Sequence, residues 1–482
     1  MLPYSYRETG KHEVWSFVTL MVTLGIVVSV NLIQLDRTDL IEGDSSSYIE
    51  MSPVRTMAYP MFLQIFRFLG LELEMIPWVQ FIVYLFAVTC FFFSVRPVAG
   101  KLLVLAGFTI CISVVPMPTS FHGQIMTESL WISGILFLIG VISRYLIRPS
   151  YQWLLYASLL GGLLATLRPV GASFLPLILL LCLHEPISPR KRNRSLLVVA
   201  LPFALVFFSE SLISAQVHGS DRSSLLPRHL FAKAALVQAN IPPAFLNSGP
   251  RGCLHRSLEY DAAPVRDLLK SPMGASVKRV VSRNYEVFFQ YSFLTDARRW
   301  CGSGIQISDG DVTKVAVERL RYGIVSFMSK AVETYLAQWY LFDASHPLLY
   351  QEFNEFVSRI YPIPFAEHVP NLSRPTTANK IAWVMRPAIM IVGLTTGILA
   401  LLGFISVFRR RGRTVRWSLA FLLAIGLHGY VFLVSLTGVQ LSRYLFAVWP
   451  LIAGSLGFAL IALSNGTDVD KPRNLAKSVT VE

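Results

Sequence analysis

The chain alternates between long apolar stretches and shorter polar ones along most of its length. A helix needs roughly 20 consecutive apolar residues to cross the hydrocarbon of a bilayer, and repeated stretches reach or approach that length. The pattern therefore predicts an all-α polytopic membrane protein with about ten transmembrane helices. We place them at residues 15–35, 76–95, 101–116, 128–146, 152–167, 170–184, 195–215, 383–407, 417–437 and 445–463.

The polar loops differ in their content of basic residues, which concentrate on the cytosolic side of membrane proteins. If the N-terminus is cytosolic, four basic loops share that side, with Arg96 and Lys101, Arg144 and Arg148, residues 190–194, and residues 409–413. This orientation predicts four parts. Residues 1–215 contain transmembrane helices 1–7, with an exoplasmic first loop at 36–77, and residues 216–382 form a mainly helical exoplasmic domain between helices 7 and 8. Residues 383–463 contain transmembrane helices 8–10, and residues 464–482 form a disordered cytoplasmic tail.

Composition and charge exclude two broad classes of protein. With 53% hydrophobic residues, 15% charged residues and a mean hydropathy of +0.52, the chain is too apolar to be soluble. The net charge of +14 is scattered over loops, so no nucleic-acid partner is expected. Of the five cysteines, Cys253 and Cys301 lie in the long exoplasmic segment. An oxidising compartment would allow them to form a disulfide, and the alternative that both stay free is equally open.

Shorter periodic stretches lie outside the spans. Residues 59–69 are apolar at helical spacing but too short to span, so a helix lying in the membrane interface is expected. In the exoplasmic segment, apolar residues recur at steps of three and four over residues 311–342, which predicts one amphipathic helix. Prolines and glycines at 240–243 and 247–251 predict loops between shorter helices at 263–269 and 277–293.

The first exoplasmic loop contains the strongest candidate for chemistry. Asp44 stands at the outer end of the membrane, where a carboxylate can act as a general base toward a hydroxyl. The alternative is that Asp44 only caps a short helix or is a solvated loop residue, which is the more frequent role for such an aspartate. Asp36 and Glu42 are candidates of the same type nearby, and Asp36 ranks below Asp44 because it ends the first span.

Arginines and one acidic residue form the second set of candidates. Arg55, Arg168, Arg386 and Arg443 lie at or near predicted exoplasmic helix ends, where guanidinium groups can bind a phosphate or can simply reach toward water. His122 and Glu128 flank the start of the fourth span, where Glu128 either favours the helix N-terminus or faces a substrate. No metal-ligand spacing or glycine-rich phosphate loop is present, so no cofactor is expected, although a divalent cation is left open.

These motifs resemble the GT-C superfamily of membrane-embedded glycosyltransferases, which includes protein O-mannosyltransferases and lipid A aminoarabinose transferases. The similarity lies in Asp44-Ser-Ser-Ser-Tyr48 with Arg55 and Tyr59-Pro-Met-Phe-Leu63, in Thr127-Glu-Ser-Leu130, in Thr166-Leu-Arg-Pro169, and in Ser442-Arg-Tyr-Leu445 with Pro450. The resemblance implies a polyprenyl-phosphate sugar as donor, inversion at the anomeric carbon, and a catalytic acidic residue that maps onto Asp44. It also implies donor-phosphate binding by Arg443, which we extend to Arg55 and Arg168.

The sequence therefore predicts an inverting glycosyltransferase that moves a sugar from a polyprenyl-phosphate lipid to a hydroxyl of a glycan, lipid or protein. Tyr48, Tyr59, His122, Glu128 and Tyr444 are the residues expected to contact substrate. We expect a bacterial inner membrane, with the active site facing the periplasm. Two alternatives remain: an O-antigen polymerase or ligase that depends on Arg222, Arg228 and His229, and a transporter or flippase of lipid-linked glycans.

Overall fold

A computed structural model describes residues 5–35, 40–41, 44–115, 120–184, 189–219, 225–247, 249–270, 282, 285–286, 288–290, 301, 307–339, 377–409, 414–438 and 442–464. Regular structure in these ranges is helical. The α-helices are α1 (Ser5–Leu35), α2 (Ser45–Ile49), α3 (Ala58–Phe68), α4 (Ile76–Ala99), α5 (Leu102–Ser113), α6 (Thr127–Ile147), α7 (Tyr151–Leu167), α8 (Phe174–His184), α9 (Pro189–His218), α10 (Leu225–Leu236), α11 (Pro243–Leu246), α12 (Gly249–Lys270), α13 (Asp309–Tyr322), α14 (Ile324–Gln338), α15 (Thr377–Arg409), α16 (Val415–Thr437), α17 (Ser442–Ala447) and α18 (Trp449–Ser464).

The helices confirm an all-α, multi-pass membrane protein. Six of those described are long and apolar enough to cross a membrane, and they correspond to α1, α4, α6, α9, α15 and α16. Each of the other predicted spans also lies on helix, but those helices have 10–17 residues. At 1.5 Å per residue they measure roughly 15–26 Å, less than the roughly 30 Å of bilayer hydrocarbon. Length and composition therefore establish six candidate spans, and the count of ten stays a prediction.

Helices α6 and α16 lie at the centre of the bundle. They are the most buried of the six long helices, and α6 packs against α4, α7 and α16. Their contact buries Trp131 of α6 against Tyr430 of α16. A helix that is apolar on all sides belongs in such a core, whereas α9 and α15 leave most of their surface uncovered by protein, as expected for helices in contact with lipid.

The expected short helix of the first loop is present as α3. Tyr59, Leu63 and Phe66 form its buried face, while Ile65 and Phe68 on the opposite face are exposed and apolar. This division follows the helical period, because positions three and four apart share one face. The buried face fixes α3, and the chain just before it, to the membrane helices.

A second hydrophobic core lies in the segment predicted to be exoplasmic. It joins α10, α12 and α13, and Cys253 of α12 is disulfide-bonded to Cys301, with Cα atoms 5.8 Å apart. The sequence left open whether these two cysteines are bonded or free, and the structure shows that they are bonded. Helix α12 begins at Gly249 and Pro250, inside a segment expected to be a loop, because a proline in the first helical turn gives up no backbone hydrogen bond.

The prediction of one amphipathic helix over residues 311–342 is wrong. Helix α13 starts at a capping box of Ser308 and Asp311, and the helix is interrupted at Gly323 before α14 begins. A Cβ at Gly323 would lie 2.5 Å from Val237 Cγ1 and 2.7 Å from the carbonyl oxygen of Gln238. Close packing on the end of α10 therefore accompanies the break. Residues 340–342, most of 277–293 and the predicted tail at 465–482 lie outside the described ranges.

Candidate active site

Asp44 and two arginines from distant parts of the sequence meet at one point. Arg55 Nη2 donates to Asp44 Oδ1 at 2.5 Å, and Arg443 Nη2 donates to Asp44 Oδ2 at 2.8 Å. Arg443 lies 399 residues from Asp44, at the start of α17. Asp44 occupies the N-cap position of α2, but its side chain makes no capping hydrogen bond. Through Arg443, its carboxylate instead connects the first loop to the start of α17.

The two arginines determine the charge of Asp44. Burial alone would raise the pKa of this carboxyl, but the positive charges and hydrogen bonds of Arg443 and Arg55 outweigh it and lower the pKa below its ordinary value of 3.8. The side chain keeps 29% of its exposure, so water still reaches it. Asp44 is thus ionised at neutral pH, with each carboxylate oxygen held by one guanidinium.

Local contacts hold Arg55 in place. Its Nε donates to Ser47 Oγ at 2.8 Å, and Ser47 Oγ in turn donates to the backbone oxygen of Asp44 at 2.6 Å. The guanidinium lies over the ring of Tyr48, 4.7 Å from the centroid. Such cation–π contacts favour an arginine in a fixed position. Arg55 is therefore fixed by residues from the same short segment as its carboxylate partner.

A second ion pair lies deeper, between Arg168 and Glu128. Arg168 Nη1 is 2.9 Å from Glu128 Oε1, a charge contact without hydrogen-bond geometry, and the side chains are 12% and 2% exposed. Arg168 ends α7 in extended conformation, as expected for a residue before proline. The following turn folds back so closely that a Cβ on Gly171 would lie 2.7 Å from backbone atoms of Leu164. The Arg-Pro sequence and this glycine direct the side chain toward α6.

The ring of Tyr444 lies near both Arg168 and Arg443, and so connects the Glu128 ion pair to the ion pairs of Asp44. Its ring centroid is 5.2 Å from the guanidinium carbon of Arg168 and 5.7 Å from that of Arg443. The three arginines and two carboxylates of these three ion pairs together carry one net positive charge. The predicted site residues Asp44, Tyr48, Arg55, Glu128, Arg168, Arg443 and Tyr444 thus form one connected cluster, which we call the arginine cluster.

Two predicted substrate-binding residues, Tyr59 and His122, lie behind this cluster and are buried. Tyr59 donates to Gln80 Oε1 at 2.9 Å, and Gln80 donates to the backbone oxygen of Gln124 at 2.8 Å. His122 Nδ1 is 2.7 Å from Ser129 Oγ, and burial lowers the pKa of His122 to about 3, so the imidazole is neutral. The Tyr59 bond joins the first loop to α4, and the His122 bond joins the segment before α6 to that helix. A direct contact with substrate stays a prediction for both residues.

Sequence reasoning missed three residues around the arginine cluster. Gln80, Trp131 and Tyr430 stand inside apolar segments and are fully buried. A glutamine within a membrane span is a visible signal, because polar residues there are costly and have specific partners. A tryptophan or tyrosine in an apolar helix gives no such signal, since both types are common in cores.

Of the remaining candidates, His229 lies on α10 and three others lie outside the described residue ranges. His229 of α10 has its Nε2 3.3 Å from Gln290 Nε2, and burial, with Lys233 and Arg55, lowers the pKa of His229 to about 4. Asp36, Glu42 and Arg222 lie outside the described ranges. Within those ranges, no three histidine, cysteine or acidic side chains are grouped as metal ligands.

Comparison with known proteins gives no relative for this chain: no family model, no curated protein and no solved structure matches it. The class of protein shown by the fold is therefore an all-α, multi-pass membrane protein. Its function has to be argued from the side chains of the arginine cluster.

Proposed function

We propose that the chain is an inverting glycosyltransferase of GT-C type, which transfers a sugar from a polyprenyl-phosphate lipid to an acceptor hydroxyl at the exoplasmic face of the membrane. The observation that carries the proposal is the contact of Asp44 with Arg55 and Arg443, at the end of a bundle of apolar helices. This site combines a carboxylate that can accept a proton with cations that can bind a lipid phosphate.

The charge of the arginine cluster suits the proposed leaving group. A polyprenyl-phosphate sugar carries one negative charge, and the polyprenyl phosphate that leaves carries up to two. Three guanidinium groups against two carboxylates leave one positive charge in the free protein. Positive groups placed where negative charge develops lower the energy of the transition state more than that of the bound substrate. Arg443, Arg55 and Arg168 would act in this way.

In the proposed reaction, the acceptor oxygen attacks the anomeric carbon from the face opposite the phosphate. The carbon–oxygen bond to phosphate breaks, its electron pair leaves with the phosphate, and the acceptor proton goes to Asp44. A carboxylate held by two arginines is a weak base. A donor phosphate bound to Arg443 would share its positive charge, weaken its bond to Oδ2 of Asp44 and make this carboxylate more basic, so donor binding would prepare the base for the acceptor.

Several features support the proposed location and topology. Disulfides persist in oxidising compartments, so the bond between Cys253 and Cys301 favours the exoplasmic side for the second core. Together with the distribution of basic loops, it favours ten spans and an active site on the exoplasmic side. We propose that this side is the periplasm of a bacterial inner membrane. The exposed apolar surfaces of α9 and α15 would contact lipid, from which a polyprenyl chain can enter.

Replacement of Asp44 by asparagine tests the proposed role. The amide would keep the shape of the side chain but could not accept the proton, so we expect sugar transfer in reconstituted vesicles to fall by at least about 100-fold. A matched control is Asp267→Asn, because Asp267 on α12 is 74% exposed and pairs only with Lys270 among the ion pairs described. Transfer by Asp44→Asn at the rate of the control would remove Asp44 from the role of base.

A second candidate function is a polymerase or ligase of lipid-linked glycans that uses α10. Two observations favour it: Arg55 contributes to lowering the pKa of His229, and the buried Nε of Arg228 has no partner in the described ranges. The two functions predict opposite sensitivities. Loss of activity in Arg228→Ala with activity retained in Asp44→Asn would favour the polymerase or ligase, and the reverse pattern would favour the glycosyltransferase.

A further inference from the structure

Apart from Arg168 Nη1, which contacts Glu128 only as an ion pair, three buried hydrogen-bond donors near the arginine cluster have no partner in the described part of the chain. They are Trp131 Nε1, Tyr430 Oη and Arg443 Nε. The side chains of Trp131 and Tyr430 are both 0% exposed. More than nine in ten buried polar groups in proteins are hydrogen-bonded, and each exception calls for an explanation. Three exceptions in one region point to a common cause.

Ring contacts and electrostatics place the three groups together. The ring centroids of Trp131 and Tyr430 are 5.8 Å apart, and the guanidinium carbon of Arg168 is 5.9 Å from the Trp131 ring. The Tyr430 hydroxyl is within electrostatic reach of Arg168, Arg443, Tyr444 and Glu128. The unpartnered donors therefore belong to side chains that lie near one another where α6, α16 and α17 meet.

The chemistry of the three groups defines what they can bind. The indole N–H and the guanidinium N–H can only donate, so both require acceptor atoms, and the Tyr430 hydroxyl can donate as well. Glu128 is the nearby acceptor that contacts Arg168, but none of the three donors makes a hydrogen bond to it. A ligand with several acceptor oxygens and negative charge would satisfy all three donors, and phosphate has these properties.

We propose that Trp131, Tyr430 and the Nε of Arg443 form an inner subsite that binds the phosphate oxygens of the lipid donor. This inference rests on the proposed function. It adds two uncharged donors, the indole N–H of Trp131 and the hydroxyl of Tyr430, to the arginines that were selected for their charge. Arg443 would link the inner subsite to Asp44, because its Nη2 contacts Asp44 and its buried Nε has no partner in the described residues. The phosphate would thus lie on the inner side of Arg443, with the sugar directed toward Asp44.

The depth of the subsite favours a lipid as the source of the phosphate. Trp131 lies about one turn inside α6, and Tyr430 lies seven residues before the end of α16, which is roughly 10 Å along the helix. A phosphate carried on a polyprenyl chain can approach from the bilayer at this depth. Inorganic phosphate would have to come from water, past the ion pairs of Asp44.

Binding of polyprenyl phosphate to the purified full-length chain in detergent tests the subsite. We expect Tyr430→Phe and Trp131→Phe each to weaken binding by about tenfold, the effect of one lost hydrogen bond to a charged group. Tyr145→Phe is the matched control, because Tyr145 is another buried tyrosine and its hydroxyl donates to the backbone oxygen of Leu181 at 3.4 Å. It should bind the lipid as the wild type does.

Thermal unfolding distinguishes a variant that has lost a contact with the phosphate from one that binds weakly because it no longer folds. Tyr430→Phe removes a group without a protein partner in the described ranges, so its melting temperature without lipid should equal or exceed that of the wild type. Added polyprenyl phosphate should then raise the melting temperature of the wild type and of Tyr145→Phe more than that of Tyr430→Phe.

Four outcomes separate the two proposals. Weaker lipid binding by both variants, with an unchanged control, supports the subsite. Equal binding by wild type, control and variants overturns the subsite but leaves the proposed function standing, since the arginines alone would then hold the phosphate. Absence of binding to the wild type overturns both proposals. Equally tight binding of inorganic phosphate by the wild type would overturn the lipid as the source.

Discussion

At the level of single residues, the two carboxylates of the arginine cluster differ in how much water reaches them, and this difference predicts how much each ion pair contributes to stability. Asp44, Arg55 and Arg443 keep side-chain exposures of 29%, 17% and 30%. Glu128 is 2% exposed and Arg168 12%. Solvated ion pairs contribute about 0–1 kcal/mol to stability. Removing one partner of a buried pair instead costs about 3–5 kcal/mol, because the other charge stays buried.

We therefore expect Glu128→Gln to lower the free energy of unfolding by about 3 kcal/mol and Asp44→Asn to lower it by less than about 1 kcal/mol. Chemical unfolding in detergent micelles, followed by circular dichroism, measures both. The double variant Glu128→Gln/Arg168→Met is the control, since it leaves no unpaired charge and should regain most of the loss. Equal destabilisation by the two single variants would contradict the assignment of Glu128 and Arg168 as a buried pair.

At the level of elements, the turn after α7 positions Arg168 through one glycine. Gly171 N donates to the backbone oxygen of Arg168 at 2.8 Å, and a Cβ at Gly171 would come within 2.7 Å of the backbone at Leu164 and Ala165. Backbone atoms cannot rotate away as a side chain can. An added methyl group would therefore push the turn, and Arg168 with it, away from α7 and from Glu128.

Gly171→Ala should lower the stability of the protein by about 1–3 kcal/mol and reduce transfer activity. Gly107→Ala in α5 is the control, because a Cβ at Gly107 meets nothing within 4 Å, and alanine is the better helix former by up to about 1 kcal/mol. Thermal unfolding and transfer assays on both variants give the comparison. If both glycines tolerate alanine equally, the close approach of the turn to α7 does not determine the position of Arg168.

The membrane helices could be predicted from sequence because their signal is local. Continuous apolar character marks α4, α6 and α16 without any knowledge of their neighbours. The meeting of Asp44, Arg55 and Arg443 was also within reach, since all three were placed at the same side of the membrane by the distribution of basic loops. Sequence reasoning could not predict which carboxylate pairs with which arginine, because this depends on distances between helices.

Features that depend on packing between distant segments were beyond prediction. The break at Gly323 arises from the fit of this residue against Val237 and Gln238, which are far from it in sequence. The apolar stripe continues through the break, so periodicity alone favours one helix. Trp131 and Tyr430 likewise look like ordinary core residues, and only the absence of partners for their polar atoms in the described ranges distinguishes them.

At the scale of the whole molecule, the disulfide bears on which side of the membrane the arginine cluster faces. The bond between Cys253 and Cys301 closes a 48-residue separation, which restricts the unfolded chain and stabilises the fold by up to about 4 kcal/mol. It forms only where the compartment is oxidising. Helix α10 belongs to this second core and also contacts α16 of the membrane bundle. The disulfide therefore reports on the side of the membrane that α10 and the arginine cluster face.

Thiol labelling of intact cells tests this orientation. A membrane-impermeant maleimide should leave Cys253 and Cys301 unmodified at first and label both after mild reduction from outside, because reduction frees the two thiols on the exoplasmic side. A variant with Cys90, Cys111 and Cys182 replaced by alanine keeps only the paired cysteines and removes the signal of the free ones. Labelling that requires permeabilised cells would place the second core in the cytosol. The arginine cluster would then face cytosolic substrates, and transfer from a donor at the outer leaflet would be ruled out.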